Sequence, residues 1–176
     1  AACTVAGSTS VYDAAAHGAT GSCLGVSSEV LAGLDLGASF SNVPGGTASW
    51  TFTDVTGNYS NTGGTAAIVI GKANAACTVA GSTSVYDAAA HGATGSCLGV
   101  SSEVLAGLDL GSSFSNVPGG TASWTFTDVT GNYSNTSGTA AIVITKANAA
   151  CTVSGSTGIY DAAAHGATGS CLGVSS

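Results

Sequence analysis

The stretch YDAAAHGATGSCLGVSS (Tyr12–Ser28) occurs three times in the chain, at residues 12–28, 86–102 and 160–176. The period is constant at 74, since the occurrences begin at Tyr12, Tyr86 and Tyr160 (86 − 12 = 74 and 160 − 86 = 74). The intervening residues repeat as well, because residues 1–74 and 75–148 differ at only three positions, namely Ala38/Ser112, Gly63/Ser137 and Gly71/Thr145. A long period with so little change predicts a tandem array. We therefore expect β repeats at 1–74 and 75–148, here called copy one and copy two, and a partial β repeat at 149–176, copy three. Since copy three is too short to close a core, we expect the chain to be a window of a longer array.

The composition excludes several classes of function. Charged residues make up 6% of the chain, the net charge is −7, and the only cationic side chains besides histidine are Lys72 and Lys146. Nothing could replace the counterions of a phosphate backbone, so nucleic-acid binding is excluded, and a basic membrane-surface helix is excluded for the same reason. The sequence has no apolar stretch long enough for a transmembrane segment. With 44% hydrophobic residues the chain is expected to fold, and a surface of Ser, Thr, Asn and Gly is typical of secreted and cell-surface fibres.

The cysteines recur as one pair in each copy, and in every pair the second cysteine stands at position i + 20 from the first. An even number of cysteines in a small unit indicates disulfides and an oxidising compartment. So small a unit also needs a covalent staple or a stacked neighbour, because its core is small. Pairing within each copy is favoured, since copy three contains both of its cysteines, and pairing of Cys23 with Cys77 is the rival. The predicted pairs are Cys3 with Cys23, Cys77 with Cys97, and Cys151 with Cys171.

Alternating and β-branched patterns predict strands throughout the repeat. Residues 47–55 are the clearest strand and 65–70 the second, and residues 3–12 form one or two extended pieces with a kink near Gly7. Asp13 is expected to cap a turn before His17, and residues 20–26 return as a strand. Residues 27–36 alternate with period two, which favours extended chain, although Ser28 with Glu29 could open a helix.

Five or more short strands separated by turns predict an all-β fold, a tandem array of small immunoglobulin-like antiparallel β-sandwich domains. The spacing Asp54-x-x-Gly57-x-Tyr59 resembles a tyrosine corner, in which the hydroxyl bonds to upstream backbone. The alternative is a β-grasp-like sheet with one short helix at residues 28–36. The predicted structural core contains Trp50, Phe52, Tyr59, Trp124, Phe126 and Tyr133.

Several motifs together resemble the MBG/YDG-type tandem repeats of large bacterial surface proteins. They are Tyr12-Asp13-x-x-Ala16-His17, Gly25-Val26-x-x-Glu29, Leu34-Asp35-Leu36, Trp50-Thr51-Phe52-Thr53-Asp54, Gly57-Asn58-Tyr59 and Ile68-Val69-Ile70-x-Lys72-Ala73. The resemblance covers the whole repeat and implies an extracellular, β-rich, adhesin-like stalk without catalysis. One departure is that such repeats often have Gly after the Tyr-Asp pair, whereas this chain has Ala14, Ala88 and Ala162. We therefore expect a right-handed turn there.

The polar residues give no catalytic, cofactor or metal site. Asp13 and His17 with widely spaced cysteines lack zinc-ligand spacing, and no nucleophile elbow accompanies the Ser, His and Asp residues. Carboxylates such as Asp35 are expected to cap turns rather than bind Ca²⁺, and Lys72 to be solvated rather than crosslinked to an Asn or Asp. The glycosylation sequon is matched three times, a short pattern that arises readily by chance; the matches are Asn58-Tyr59-Ser60, Asn132-Tyr133-Ser134 and Asn135-Thr136-Ser137.

These features predict a structural segment of a secreted or cell-surface fibre or adhesin stalk, which is not an enzyme. Its partners would be further copies of the same repeat, with self-association into an extracellular fibre or filament. The alternative is a multivalent adhesin module whose repeats each bind a glycan or a protein on another surface. An exposed aromatic or carboxylate patch on each repeat would distinguish that alternative.

Overall fold

A computed structural model describes residues 1–174 of the chain, so the last two residues of copy three lie outside it. The described residues form β-strands, turns and loops and contain no helix. The expectation of an all-β fold is confirmed. The β-grasp alternative is wrong, because residues 28–36 hold a turn and the short strand β4 instead of a helix.

Copy one contains seven strands. They are β1 (Ala2–Ala6), β2 (Ser8–Val11), β3 (Thr20–Leu24), β4 (Leu34–Asp35), β5 (Gly45–Phe52), β6 (Thr62–Gly71) and β7 (Ala73–Asn74).

Copy two contains the corresponding hairpin and sheet strands and one additional short strand, β13, in the loop within its long hairpin. Its strands are β8 (Ala76–Ala80), β9 (Ser82–Val85), β10 (Thr94–Leu98), β11 (Leu108–Asp109), β12 (Gly119–Phe126), β13 (Tyr133–Ser134) and β14 (Thr136–Thr145). In copy three the strands are β15 (Ala150–Ser154) and β16 (Thr168–Leu172).

Each complete copy combines a two-stranded sheet with a four-stranded one. In copy one, β1 pairs with β3, and the larger sheet has the order β2-β6-β5-β4. The β5–β6 hairpin is antiparallel, but β2 runs parallel to β6, with Ser8 opposite Ile68. The larger sheet is therefore mixed, which corrects the expectation of a wholly antiparallel arrangement. The reason is that the first extended stretch of the chain contributes one strand to each sheet. Strand β1 belongs to the small sheet and β2 to the large one.

Gly7 makes this switch between sheets sterically possible. A Cβ atom at Gly7 would collide with the carbonyl oxygen of Ala67 on β6, so only glycine lets the chain approach that strand so closely. Gly81 has the same relation to Ala141 in copy two. The kink predicted near Gly7 is thus the point at which the chain passes from one sheet to the other.

The core of each complete copy lies on the inward face of the long hairpin. Alternate residues of β5 and β6 are buried, as strand periodicity requires. Phe52 and its equivalent Phe126 are both 1% exposed, whereas Trp50 and Trp124 are half-buried. The buried side chains they join include Ala48, Ile68 and Ile70 in copy one and Ala122, Ile142 and Ile144 in copy two.

Residues 27–36 are extended only in part. Leu34 and Leu36 are half-buried as the alternation predicts, but Val30 is 75% exposed and Leu31 takes the inward position. The alternation fails because Gly33, with φ +101°, changes the direction of the chain within the run.

The turn after the Tyr-Asp pair is left-handed, which overturns the right-handed turn expected for alanine. Ala14, Ala88 and Ala162 have φ values of 65°, 63° and 60°. Asp13 explains this conformation, because its carboxylate accepts the N–H of Ala15 at 2.8 Å and lies 2.9 Å from Nε2 of His17. The same bonds recur in copies two and three. The side-chain bonds offset the steric cost that a left-handed residue with a Cβ carries.

Chain contacts divide the molecule into two compact units that do not coincide with the sequence period. Unit 1 contains Ala1–Cys77, Ser96–Leu108 and Phe126–Thr136, and unit 2 contains Thr78–Gly95, Asp109–Thr125 and Ser137–Ser176. The first unit therefore combines copy one with three stretches of copy two, residues 75–77, 96–108 and 126–136. In the described part of the chain no helix is long and apolar enough to span a membrane.

Candidate functional site at the joint between repeats

A loop built on one aspartate follows the first strand of the long hairpin in both complete copies. We call it the aspartate loop; it comprises residues 54–61 in copy one and 128–135 in copy two. The Asp54 carboxylate accepts the N–H groups of Thr56 at 3.1 Å and Tyr59 at 2.9 Å. Asn61 closes the loop, because its Oδ1 accepts the N–H of Asp54 at 2.8 Å. Gly57 supplies the positive φ of 78° that the turn requires.

These bonds favour the ionised form of the aspartate. The N–H of Tyr59, followed by the N–H and hydroxyl of Thr56, lowers the pKa of Asp54 from 3.8 to about 2. At Asp128 burial acts in the opposite direction, but the N–H groups of Tyr133 and Thr130 outweigh it and the pKa is again lowered. The carboxylate is therefore the structural centre of the loop and is engaged by the donors of its own chain.

The tyrosine of the loop is bonded to a segment far upstream in the sequence. In copy two, the Tyr133 hydroxyl accepts the N–H of Val100 at 3.0 Å and donates to Oε1 of Glu103 at 2.6 Å. Copy one repeats this arrangement through Tyr59, Val26 and Glu29. Burial and then the Glu103 carboxylate raise the pKa of Tyr133, and the Tyr59 hydroxyl lowers the pKa of Glu29. The predicted bond from this hydroxyl to upstream backbone is present in both copies.

In copy two the aspartate loop docks onto copy one through its backbone. Strand β13 pairs in parallel with β7, placing Tyr133 opposite Ala73 and Ser134 opposite Asn74. The N–H of Ala73 donates to the carbonyl oxygen of Asn132 at 2.9 Å. This pairing explains why residues 133–134 form a strand in copy two, whereas residues 59–60 of copy one do not.

The Asn132 side chain completes the contact. Its Oδ1 accepts the N–H of Val43 at 3.0 Å, and its Nδ2 donates to Oδ1 of Asn42 at 3.0 Å. Asn132 is 7% exposed and is the only buried polar or charged residue in the described part of the chain. A buried amide is stabilising only when its polar atoms are bonded, so Asn132 fixes the register of the two surfaces.

An aromatic pair lies beside these hydrogen bonds. The ring of Tyr133, which is 1% exposed, meets the ring of Tyr12 edge to face, with centroids 5.5 Å apart and planes at 78°. This geometry is the favourable one for aromatic pairs. We call the surface of copy one that receives the loop the socket; it consists of Tyr12, Asn42, Val43 and Ala73.

The aspartate loop of copy one has the same internal bonds but no such neighbour. Asn58, the counterpart of Asn132, is exposed, and its side chain makes no hydrogen bond to any described residue. Tyr59 is half-buried where Tyr133 is fully buried. Docking, and not a difference in sequence, accounts for the contrast, because residues 53–62 and 127–136 are identical.

The cysteines pair within each copy as predicted. Disulfides join Cys3 to Cys23, Cys77 to Cys97 and Cys151 to Cys171. In copy one the partners lie directly opposite each other on β1 and β3. The rival bond between Cys23 and Cys77 is thereby excluded.

The remaining polar candidates are engaged locally. Among the described residues no group of three or more His, Cys, Asp or Glu side chains could hold a metal ion. Asp35 accepts the N–H of Gly37 at 2.9 Å, and His17 is paired with Asp13. Lys72 is exposed, whereas a crosslink to an Asn or Asp would need a buried lysine. The sequon residue Asn132 is buried in the joint and is inaccessible to a glycosylating enzyme, whereas Asn58 is exposed.

Of the residues of the joint, the sequence pointed only to Tyr133, and only as a core residue. Asn132, Asn42, Val43 and Tyr12 had no assigned role in it. The available signal was the connection between the copies, residues 71–76, which is short and lacks proline and so predicts close coupling. It gives no information about which surfaces meet. No protein-family model matches the chain, and no curated protein is significantly similar to it.

Proposed function

We propose that the chain is a structural tandem-repeat segment of a secreted or cell-surface fibre or adhesin stalk, with no catalytic role. This proposal rests mainly on the joint, the contact between the aspartate loop of copy two and the surface of copy one. The loop of copy two is paired with the strand that ends copy one, and one buried asparagine is bonded to both Asn42 and Val43. Repeats joined in this way are coupled to their neighbours, which is the property that a load-bearing array needs.

Each complete repeat is, in this proposal, a small immunoglobulin-like β-sandwich. The first extended run crosses from one sheet to the other at Gly7, and strands that change sheets at a bend are how two packed sheets are joined. The bond from Tyr59 to the backbone of Val26 supports the same assignment by its likeness to a tyrosine corner. The resemblance to MBG/YDG-type repeats agrees with this architecture.

Covalent and hydrogen-bonded elements together would give the repeat its mechanical resistance. The disulfide joins β1 to β3, while β2 is bonded along its length to β6 in the other sheet. Disulfides form and persist in oxidising compartments, which indicates a location outside the cytoplasm. A cell-surface or secreted location is the specific form that we propose.

Pulling on single molecules from their two ends tests this function. The disulfide of each complete repeat closes a sequence separation of 20 within the period of 74, so the remainder (74 − 20 = 54) is free to extend. At about 3.5 Å for each residue, an unfolding event should release about 190 Å of chain, or about 260 Å after reduction, and the measured gain is this length less the distance already spanned by the folded repeat. Two resolved high-force events, for copies one and two, are expected.

Two matched variants probe the joint in the same experiment. Asn132→Ala removes the bonds to Val43 and Asn42 and should lower the force of an unfolding event. Asn58→Ala changes the same residue in the undocked loop and should leave the forces unchanged. Extension at low force without two discrete events would contradict a mechanical role.

A further inference from the structure

Each complete repeat pairs a strand near its beginning with a strand near its end. In copy one, β2 lies parallel to the last part of β6, with Ser8 opposite Ile68 and Val11 opposite Gly71. The N–H of Tyr12 adds a hydrogen bond to the carbonyl oxygen of Gly71 at 2.9 Å. Strands β9 and β14 repeat this arrangement in copy two. We call the pairing of β2 with β6, and of β9 with β14, the terminal pair.

The terminal pair lies on the shortest mechanical route through the repeat. Between Cys3 and Asn74, this route follows residues 4–11, crosses the hydrogen bonds to β6 and continues along residues 71–74. The other covalent route leaves Cys3 through the disulfide to Cys23 and then follows the whole remainder of the repeat. The two ends of the repeat therefore cannot move apart until the terminal pair breaks, whether or not the disulfide is intact.

Tension on the two ends of a repeat loads the terminal pair in shear. The tension reaches β2 at Ser8 and leaves β6 at Gly71, and these residues lie at opposite ends of the register. The strands are therefore pulled past each other along their length, and the evenly spaced bonds of a parallel pair share the load. In an antiparallel pair of the same chain order, both loaded residues would lie at one end, and the bonds would break one after another. Strand β6 is also held along β5, so the edge strand β2 is the part that comes free.

The terminal pair of copy two has one hydrogen bond that copy one lacks. The hydroxyl of Thr145 on β14 donates to the carbonyl oxygen of Ser84 on β9 at 3.2 Å. The equivalent residue of copy one is Gly71, which has no side chain to donate. This difference is in the sequence of the repeats themselves and does not depend on which copies stand beside them. One further bond of ordinary net strength should slow rupture at a given force about fivefold.

We propose that the terminal pair is the force-bearing element of the repeat, and that Thr145 makes copy two yield after copy one. The proposal rests on the load-bearing role argued above and assigns that role to a particular set of bonds. The terminal pair sets the force at which a repeat begins to lengthen, whereas the disulfide sets how much chain is released. A chain under tension thus lengthens in a fixed order, copy one before copy two.

A change in the point of attachment tests the shear geometry. A reactive noncanonical side chain at position 11, where Val11 is 59% exposed, places the attachment at the far end of β2. Tension between this residue and the carboxyl end of the chain loads Val11 and Gly71, which lie opposite each other, so the bonds should break singly. Copy one should then unfold at a force several times lower than before, while copy two, loaded as before, is the internal reference. The same variant pulled from both chain ends should keep the force of the unaltered chain.

Dwell times at constant force test the order of unfolding. Replacing the cysteines of one copy by Ala lengthens the chain released by that copy, which identifies its event, and labelling the other copy instead controls for the label. Thr145→Gly should speed the unfolding of copy two about fivefold, and Gly71→Thr should slow that of copy one by a similar factor. Ala38→Ser is the matched control, because it exchanges another position that differs between the copies but lies outside the terminal pair. It should change neither dwell time.

The outcomes separate this proposal from the load-bearing role itself. Equal high forces for the two points of attachment would overturn the terminal pair as the force-bearing element, but the load-bearing role would stand, with other bonds as its source. Unchanged dwell times in both the Thr145→Gly and the Gly71→Thr chains would overturn the proposed order. Low forces from both points of attachment would contradict the load-bearing role as well.

Discussion

The disulfides of copies one and two should each stabilise their repeat by about 3 kcal/mol, whereas the disulfide of copy three should not affect the folded repeats. Replacing Cys3, Cys23, Cys77 and Cys97 by Ala removes the first two bonds. Replacing Cys151 and Cys171 by Ala removes the third and serves as the matched control. The three bonds close loops of the same length, so the main difference between them is the burial of their surroundings.

The magnitude follows from the length of chain that each bond closes. A sequence separation of 20 restricts the unfolded chain by about 3 kcal/mol at 25 °C in the chain-entropy description. Cys23 and Cys97 are both 0% exposed, so loss of their sulfur atoms adds a packing cost of about 1 kcal/mol. Cys151 and Cys171 are exposed, as is every described residue of the hairpin that carries them. Its disulfide can therefore stabilise only that hairpin.

Tryptophan fluorescence during guanidinium unfolding separates these effects. Both tryptophans of the chain, Trp50 and Trp124, lie in the complete copies, so the signal does not report on copy three. The entropy and packing contributions together amount to about 4 kcal/mol per repeat, so with a denaturant slope of about 2–3 kcal/mol/M the four-cysteine variant should unfold at about 1.3–2 M lower denaturant. The Cys151/Cys171 variant should unfold with the unaltered chain. A shift corresponding to less than about 1 kcal/mol per repeat in the first variant, or an equal shift in the second, would refute the reasoning.

Three further predictions concern single residues. Ala14→Gly should be neutral or stabilising by up to about 1 kcal/mol, because glycine adopts the left-handed conformation without the steric cost of alanine. Ala15→Gly, the control, should destabilise by about 0.5–1 kcal/mol. Equal losses of stability for the two variants in thermal unfolding would contradict the left-handed turn. Gly71→Thr should stabilise copy one by about 1 kcal/mol and raise its melting temperature. The equivalent Thr145 donates to the carbonyl oxygen of Ser84 at 3.2 Å, and a Cβ at Gly71 would meet no atom closer than 3.7 Å. A lower melting temperature would contradict this prediction. Because the pKa of Asp54 is lowered from 3.8 to about 2, the loop should lose stability as the pH falls from about 4 to about 2, where the folded carboxylate becomes protonated. Circular dichroism melts of an Asp54→Asn chain should lack this acid-dependent loss of stability. The same acid dependence in the Asp54→Asn chain would exclude Asp54 as its source.

The sequence predicts those parts of the repeat that depend on neighbours close in the chain. The alternation of Ala48, Trp50 and Phe52 predicts the first strand of the long hairpin and the side that it buries. The constant cysteine spacing predicts the disulfides, because two extended pieces separated by a turn bring Cys3 and Cys23 together. In both cases the physical cause, strand periodicity or chain closure, acts between positions that are near each other in the sequence.

Where a side chain competed with a backbone preference, the sequence was misleading. Alanine disfavours the left-handed region, but with Ala14 in that region the Asp13 carboxylate bonds to both Ala15 and His17. The period-two pattern after Ser28 fails for a similar reason, since Gly33 changes the direction of the run at a positive φ. Both positions are decided by local geometry that a pattern of apolar residues does not encode.

The joint could not be predicted because it depends on which two surfaces meet. Asn42 and Asn132 are far apart in the sequence, and the composition of either loop is typical of an exposed turn. The same asparagine is exposed at position 58 and buried at position 132, so no property of the residue itself distinguishes the two states. In a repeated sequence, whether a residue is buried at the joint depends on its contact with a neighbouring copy.

An amide suits this position better than a charged group would. Both complete copies carry a loop and a socket of the same residues, and in the described part of the chain the loop asparagine is exposed on copy one and buried on copy two. A charged side chain would lose its hydration on docking at a cost that a single partner seldom offsets. The Asn132 amide offers one acceptor to Val43 and one donor to Asn42, and both are used. An aspartate in its place could keep the Val43 N–H as a donor, but Asn42 would have to turn its amide to donate as well, and the buried charge would still lose its hydration.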